Sequence, residues 1–328
     1  MEAVKNTNLY KRDATAWFKG LAIIMVILSH FAEWWSWFYV EEGTTELVRN
    51  GVSRFGPYGV AVFLLFSGYG LAKSAGEKRI GLKFILKRIV SVYIPYLIIV
   101  ALIDFLSGGL KTLEDAKELL YGQDFWYMTV LFSFYLAFMA IWLVFTNSHI
   151  RAILMIVFTY WYSNYLYRAG EYDFWYISNI AFAVGVLLAL YEPIVKKVID
   201  KVGFIFAIVF GLGSVWVVRS ALYVEHVWAQ PIDEIRCRII AVTIFTLFVA
   251  SFAAVWKWYD PVLSILGKYS LYLYLSHTYL FMWAINFFKF EMSVNFAIAA
   301  AVILGISVTL GSLIDLLLKL PIKLINKL

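Results

Sequence analysis

The chain has 328 residues, 62% of them hydrophobic and 19% aromatic against 15% charged. That much apolar surface excludes a soluble globular protein and points to an all-α, polytopic membrane protein. The net charge of +6 follows the loops between apolar runs, which excludes the basic face of a nucleic-acid binder, and a single cysteine, Cys237, excludes an intramolecular disulfide.

In chain order, ten apolar segments are each long enough to cross a bilayer. They run approximately over Trp17–Trp34, Pro57–Lys73, Ile89–Leu106, Phe125–Phe145, Ala152–Tyr167, Phe174–Tyr191, Phe204–Val224, Ile239–Trp256, Ser270–Phe288 and Asn295–Leu318. The sequence therefore predicts about ten transmembrane helices in one integral-membrane domain over residues 1–328, with the first span retained rather than removed as a signal peptide. With the N-terminus in the cytoplasm, 19 of the 28 basic residues fall on the inner side, so both termini are expected to be cytoplasmic.

The first span carries Lys19 and His30, eleven residues apart and on nearly one helix face. The rise between them is about 16 Å, so His30 sits near mid-depth, where an ionisable group marks a functional path. Glu33 follows three residues later on the same face. A carboxylate there would orient the imidazole and stabilise its charged form, which suits a general base. Packing between helices is the ordinary alternative, and snorkelling is the ordinary role for Lys19.

Past the second span, Lys73–Arg88 holds six basic residues. Positive-inside bias accounts for them, and so does a lip for phosphate groups, with Lys87 and Arg88 nearest the third span. Trp34 and Trp126–Tyr127 are either interfacial belt residues or stacking platforms for a sugar at the outer mouth. Arg219, in the seventh span, is an acceptor-site candidate. In the ninth span Ser270, Tyr274 and His277 share one face, as packing glue or as a lining. No histidine, cysteine and carboxylate group has metal-ligand spacing, and no glycine-rich phosphate signature is present. A transporter or flippase of a lipid-linked sugar, with His30 and Glu33 as a proton relay, is the rival reading, against which stands the absence of matched broken segments in two halves.

Five strings taken together resemble one family: KGLAIIMVILSH at Lys19–His30, GVAVFLLFSGYGL at Gly59–Leu71, FILKRIVSVYIPYL at Phe84–Leu97, FWYMTVLF at Phe125–Phe132 and LGKYSLYLYLSH at Leu266–His277. Their order and spacing are similar to acyltransferase family 3, the bacterial integral-membrane acyltransferases. The resemblance implies a multi-pass protein of the bacterial cytoplasmic membrane. It implies transfer of an acyl group, commonly acetyl, from cytoplasmic acyl-CoA to a hydroxyl or amine of a cell-envelope glycan or glycolipid. Acyl-CoA is then a substrate, and no tightly bound cofactor is expected. The family's Arg–ten residues–His motif maps onto Lys19 and His30. The lysine keeps the cation and loses the bidentate fork. Taken with the residue patterns above, His30 and Glu33 are the catalytic candidates and Lys19, Lys87 and Arg88 the donor-binding ones. Trp34, Trp126, Tyr127, Arg219, Tyr274 and His277 are left to line the acceptor path. The oligomeric state stays open.

Overall fold

The computed structural model describes residues 8–38, 50–107, 117, 120, 125–227, 231–288 and 294–327. The side chains of 35–38, 107, 217–227, 231–234, 283–288 and 294–300 lie outside the described set. The long elements are α1 (Arg12–Phe38), α2 (Gly56–Ala75), α3 (Leu82–Arg88), a π-helical turn (Ile89–Tyr93) and α4 (Ile94–Ser107). They continue with α5 (Trp126–Val144), α6 (Ser148–Arg168), α7 (Ile180–Leu190), α8 (Glu192–Val227), α9 (Pro231–Val255), α10 (Pro261–Lys268), α11 (Ser270–Phe288) and α12 (Val294–Lys327). No strand occurs among the described residues.

Local chemistry explains several boundaries. Asn147 caps α6, its side chain accepting from the His149 and Ile150 N–H groups at 2.8 and 3.1 Å. Asp260 caps α10 by accepting from Leu263 N–H at 3.0 Å, with Pro261 at the first helical position. The π-helical turn precedes Pro95. A proline there donates no hydrogen to the Ser91 carbonyl four residues back and crowds it, so the backbone widens by one residue.

Each of the ten expected segments lies in a helical element. Eight helices are long and apolar enough to cross a membrane: Arg12–Trp34, Asn50–Ala75, Leu82–Leu106, Trp126–Val144, Asp173–Leu190, Glu192–Trp216, Ile235–Val255 and Ala301–Lys327. The protein is thus an all-helical, multi-pass membrane protein with eight such spans among the described residues. The other two expected segments form α6 and α11, helices of 21 and 19 residues. They fall below that apolarity because α6 carries Arg151, Asn164 and a run of tyrosines, while α11 carries Ser270, Ser276, His277 and Thr278.

The helix at the centre is α2, buried along most of its length from Gly59 to Ala72 and packed by α1, α7 and α9. Large apolar side chains such as Phe105, Leu212 and Leu317 point outward, as a hydrocarbon solvent permits. Backbones approach most closely where glycines face each other. A Cβ on Gly267 would lie 1.7 Å from the Ala16 carbonyl oxygen, and one on Gly20 2.0 Å from that of Leu263, so α10 is clamped onto the inner part of α1. The chain then passes from α10 directly into α11, which runs beside α1. Further along, α11 is tied to α12 by a Ser276–Ser307 hydroxyl contact of 2.6 Å and by Tyr272 donating to Asp315.

Candidate active site

Two helices bring the site together. His30, half-buried on α1, meets His277, 2% exposed on α11, with 2.8 Å between Nδ1 of His30 and Nε2 of His277. The ring planes are 2° apart and their centroids 5.1 Å apart. A nitrogen contact that short at that centroid separation means the rings meet edge to edge in one plane, the geometry of an in-plane hydrogen bond rather than a stack. Nδ1 of His277 lies 3.0 Å from the Leu273 carbonyl oxygen and 2.8 Å from that of Tyr274. Trp34 is buried and covers the His30 ring at 5.6 Å between centroids, and Phe281 backs the indole at 4.9 Å. Among the described residues Nε2 of His30 has no hydrogen-bond partner, and it is not sealed off.

Glu33 stands exposed on α1. The sequence assigned it the orienting part; the contact to Nδ1 of His30 comes from His277 on another helix. A carboxylate three residues along the same helix must bend back past the helix surface, whereas α11 presents its ring in the plane of His30.

Towards the N-terminal end of α1, Lys19 is half-buried and within electrostatic reach of Arg88 at the end of α3. One Arg88 terminal nitrogen donates to the Ser74 hydroxyl at 2.6 Å, and the guanidinium lies 5.2 Å from the Phe84 ring. Arg88 Nε and the Ser91 hydroxyl are buried with no hydrogen-bond partner. Two cations and two unmatched polar atoms therefore face one region with no carboxylate paired to them among the described residues, an arrangement suited to an anionic ligand. Lys87 is exposed and reaches Asn326 Oδ1 at 3.4 Å, so it joins the C-terminal helix and not this cluster.

Between the two groups runs a series of hydroxyl-bearing side chains. Tyr135 is within electrostatic reach of Arg88, and Ser67 lies near the phenols of both Tyr135 and Tyr127. The Tyr274 phenol meets the Tyr127 backbone, with the two rings 5.0 Å apart, and the Tyr274 ring lies 6.0 Å from that of His277. Tyr127 and Tyr274 are buried, and their rings lead by contact to His277. Trp126 packs instead against Phe174 and Trp175 at 5.1 and 6.2 Å. The Arg219 side chain lies outside the described residues.

A family model described as an acyltransferase domain, that of acyltransferase family 3, matches residues 14–314. The chain belongs to this family. No curated protein and no solved structure matches it. The matched region of this membrane acyltransferase contains every residue of the histidine pair, the inner cations and the hydroxyl series.

Sequence reasoning missed three parts of the site. Ser67 stood inside a quoted motif without an assigned part, and Tyr135 was one of 22 tyrosines with nothing to single it out. Arg151, counted among the inner basic residues, is fully buried. Its guanidinium donates to the carbonyls of Phe145 (2.8 Å), Glu77 (2.9 Å), Lys78 (2.9 Å) and Gly76 (3.3 Å), and lies 4.7 Å from the Trp142 ring. It fastens the start of the basic loop between α2 and α3.

Proposed function

We propose that this acyltransferase moves an acyl group, of which acetyl is the simplest, from acyl-CoA on the cytoplasmic side to a hydroxyl or amine of a cell-envelope glycan or glycolipid, with His30 as general base. The reading places both termini in the cytoplasm and the protein in the bacterial plasma membrane. The observation that carries it is the unpartnered Nε2 of His30, in a ring whose other nitrogen is already held.

The donor phosphates rest against Lys19 and Arg88, where Arg88 Nε and the Ser91 hydroxyl need partners. The acyl-bearing arm then extends along Tyr135, Ser67 and Tyr127 toward the histidines. The separation suits it: eleven residues of helix between Lys19 and His30 rise about 16 Å. The acceptor arrives from the outer side, past Trp34 and Glu33. Nε2 of His30 removes the acceptor's proton as its oxygen or nitrogen attacks the thioester carbonyl. The carbon–sulfur bond breaks, and the leaving thiolate takes the proton from His30, so CoA departs as the thiol and the base is restored.

The test is transfer from radiolabelled acetyl-CoA by purified protein in nanodiscs, using envelope glycan extract as acceptor. His30→Gln, of wild-type thermal stability, should lose about 10²–10⁴-fold in kcat, the usual size of general-base help. Undiminished transfer by that variant overturns the reading.

A further inference from the structure

We infer that His277 is the positioning residue that holds the His30 proton on Nδ1 and so leaves Nε2 of His30 as the base nitrogen. The inference rests on the general-base reading above and adds the residue that determines which nitrogen does the work.

The argument is an accounting of donors and acceptors. Nδ1 of His277 faces two backbone carbonyls, of Leu273 and Tyr274, at 3.0 and 2.8 Å. Carbonyl oxygens only accept, so this nitrogen carries a hydrogen. A neutral imidazole has one N–H, so Nε2 of His277 is a lone pair and needs a donor. The partner within 2.8 Å is Nδ1 of His30, which therefore carries its hydrogen there. The Thr278 hydroxyl, 3.5 Å from the same Nε2, is too far to compete. Nε2 of His30 is left as a lone pair with no partner.

The alternative arrangement runs the hydrogen the other way. It makes His277 doubly protonated, a cation 2% exposed among Leu273, Tyr274 and Trp34 with no carboxylate in contact among the described residues. Burying an unpaired charge in that setting is far costlier than the neutral chain of bonds. The acceptor is also rigid. Both carbonyls belong to the preceding turn of α11, and that turn is fastened to α12 through Ser276 and Ser307. Trp34 covers His30 so that its ring cannot flip out of the plane. When His30 takes a proton in the reaction, the same Nδ1–H···Nε2 bond becomes charge-assisted and strengthens, so His277 supports the transition state without touching substrate.

The experiment pairs kinetics with a readout that needs no turnover. His277→Leu keeps bulk and removes the acceptor. It should lower kcat about 100-fold and shift the donor KM by less than about twofold, since binding groups are untouched. In His277→Gln, Oε1 comes close to the place of Nε2 and accepts the same hydrogen. It should restore kcat to within about tenfold of wild type. In parallel, nitrogen NMR of histidine-labelled protein in nanodiscs, with the His30 signals assigned by loss in His30→Gln, should show the His30 hydrogen on Nδ1 in wild type and redistributed in His277→Leu. A His30 hydrogen on Nε2 in wild type, or an unchanged tautomer and kcat in His277→Leu, overturns the inference. The NMR result stands apart from the function. The expected tautomer in a protein whose His30→Gln variant still transfers acyl groups would sink the general-base reading and leave the proton assignment in place.

Discussion

Removing Arg151 should cost this protein more stability than removing any other inner basic residue. The guanidinium is fully buried and makes three contacts at 2.8–2.9 Å and one at 3.3 Å, all to backbone carbonyls. In Arg151→Met the apolar volume is largely kept, and the carbonyls of Phe145, Glu77 and Lys78 lose their donor, while that of Gly76 keeps Trp142 Nε1 at 3.4 Å. Because the loop lies next to water and can rehydrate in part, we count about 1 kcal/mol for each of the three short bonds, the low end for such groups. Loss of the contact with Trp142 adds about 1 kcal/mol. The sum is about 4 kcal/mol, a shift of nearly three decades in the folding equilibrium and a large share of the 5–15 kcal/mol that holds a typical domain. Reversible denaturant titration in mixed micelles, extrapolated linearly, measures it. Arg151→Lys should recover less than half, because one ammonium cannot address carbonyls distributed around a planar fork. A loss below about 1 kcal/mol in Arg151→Met would show that the carbonyls find other partners and would refute the staple.

Two further outcomes follow from the packing and the inner cations. In Gly267→Ala the new Cβ meets backbone atoms of Ala16 and Gly20 at 1.7 and 2.7 Å, which cannot rotate away. Destabilisation of about 3 kcal/mol or more in the same titration is expected, with lower activity as α11 and His277 shift. Gly305→Ala, which meets nothing within 4 Å, should gain about 1 kcal/mol from helix propensity, and equal stability of the two variants would contradict the close approach. Arg88→Gln should raise the donor KM about tenfold or more at constant kcat, the loss of one charge-assisted bond, as measured with acetyl-CoA under saturating acceptor. An unchanged KM would remove Arg88 from the donor site.

The parts legible in the sequence were those written along one helix. The apolar runs gave the helices, and Lys19 and His30 share a face of α1 because helical periodicity requires it. The stripe of Ser270, Tyr274 and His277 was likewise readable, although not what it faced. Contacts across helices were not readable. His277 lies 247 residues from His30, and nothing local distinguishes a histidine that bonds another histidine from one that glues two helices. The assignment of Glu33 as orienter followed from proximity in sequence, which cannot reveal a ring that a distant helix brings to the same nitrogen. Arg151 was hidden for a related reason. Its partners are carbonyls, and backbone acceptors have no signature in side-chain identity. Eight of the ten expected segments are apolar enough to cross a membrane among the described residues, while α6 and α11 carry more polar side chains.

On the proposed general-base reading, a histidine rather than a carboxylate at Nδ1 of His30 also makes chemical sense for a reaction within a membrane. A neutral histidine acceptor fixes the ring equally well and brings no charge into the dry part of the site. The charges are kept elsewhere: Lys19 and Arg88 lie toward the inner end, and Glu33 is exposed on the stretch of α1 beyond His30. A donor whose negative charge resides in phosphates can be held by the inner pair while its uncharged thioester advances along Ser67 and Tyr127. On the proposed reading the acyl group would pass to the acceptor with no net charge carried through the hydrocarbon region. Moving an ion there would cost several kcal/mol by even the most lenient scale, so placing the cations low and the neutral pair high removes a barrier that an ion-paired base at mid-depth would build in.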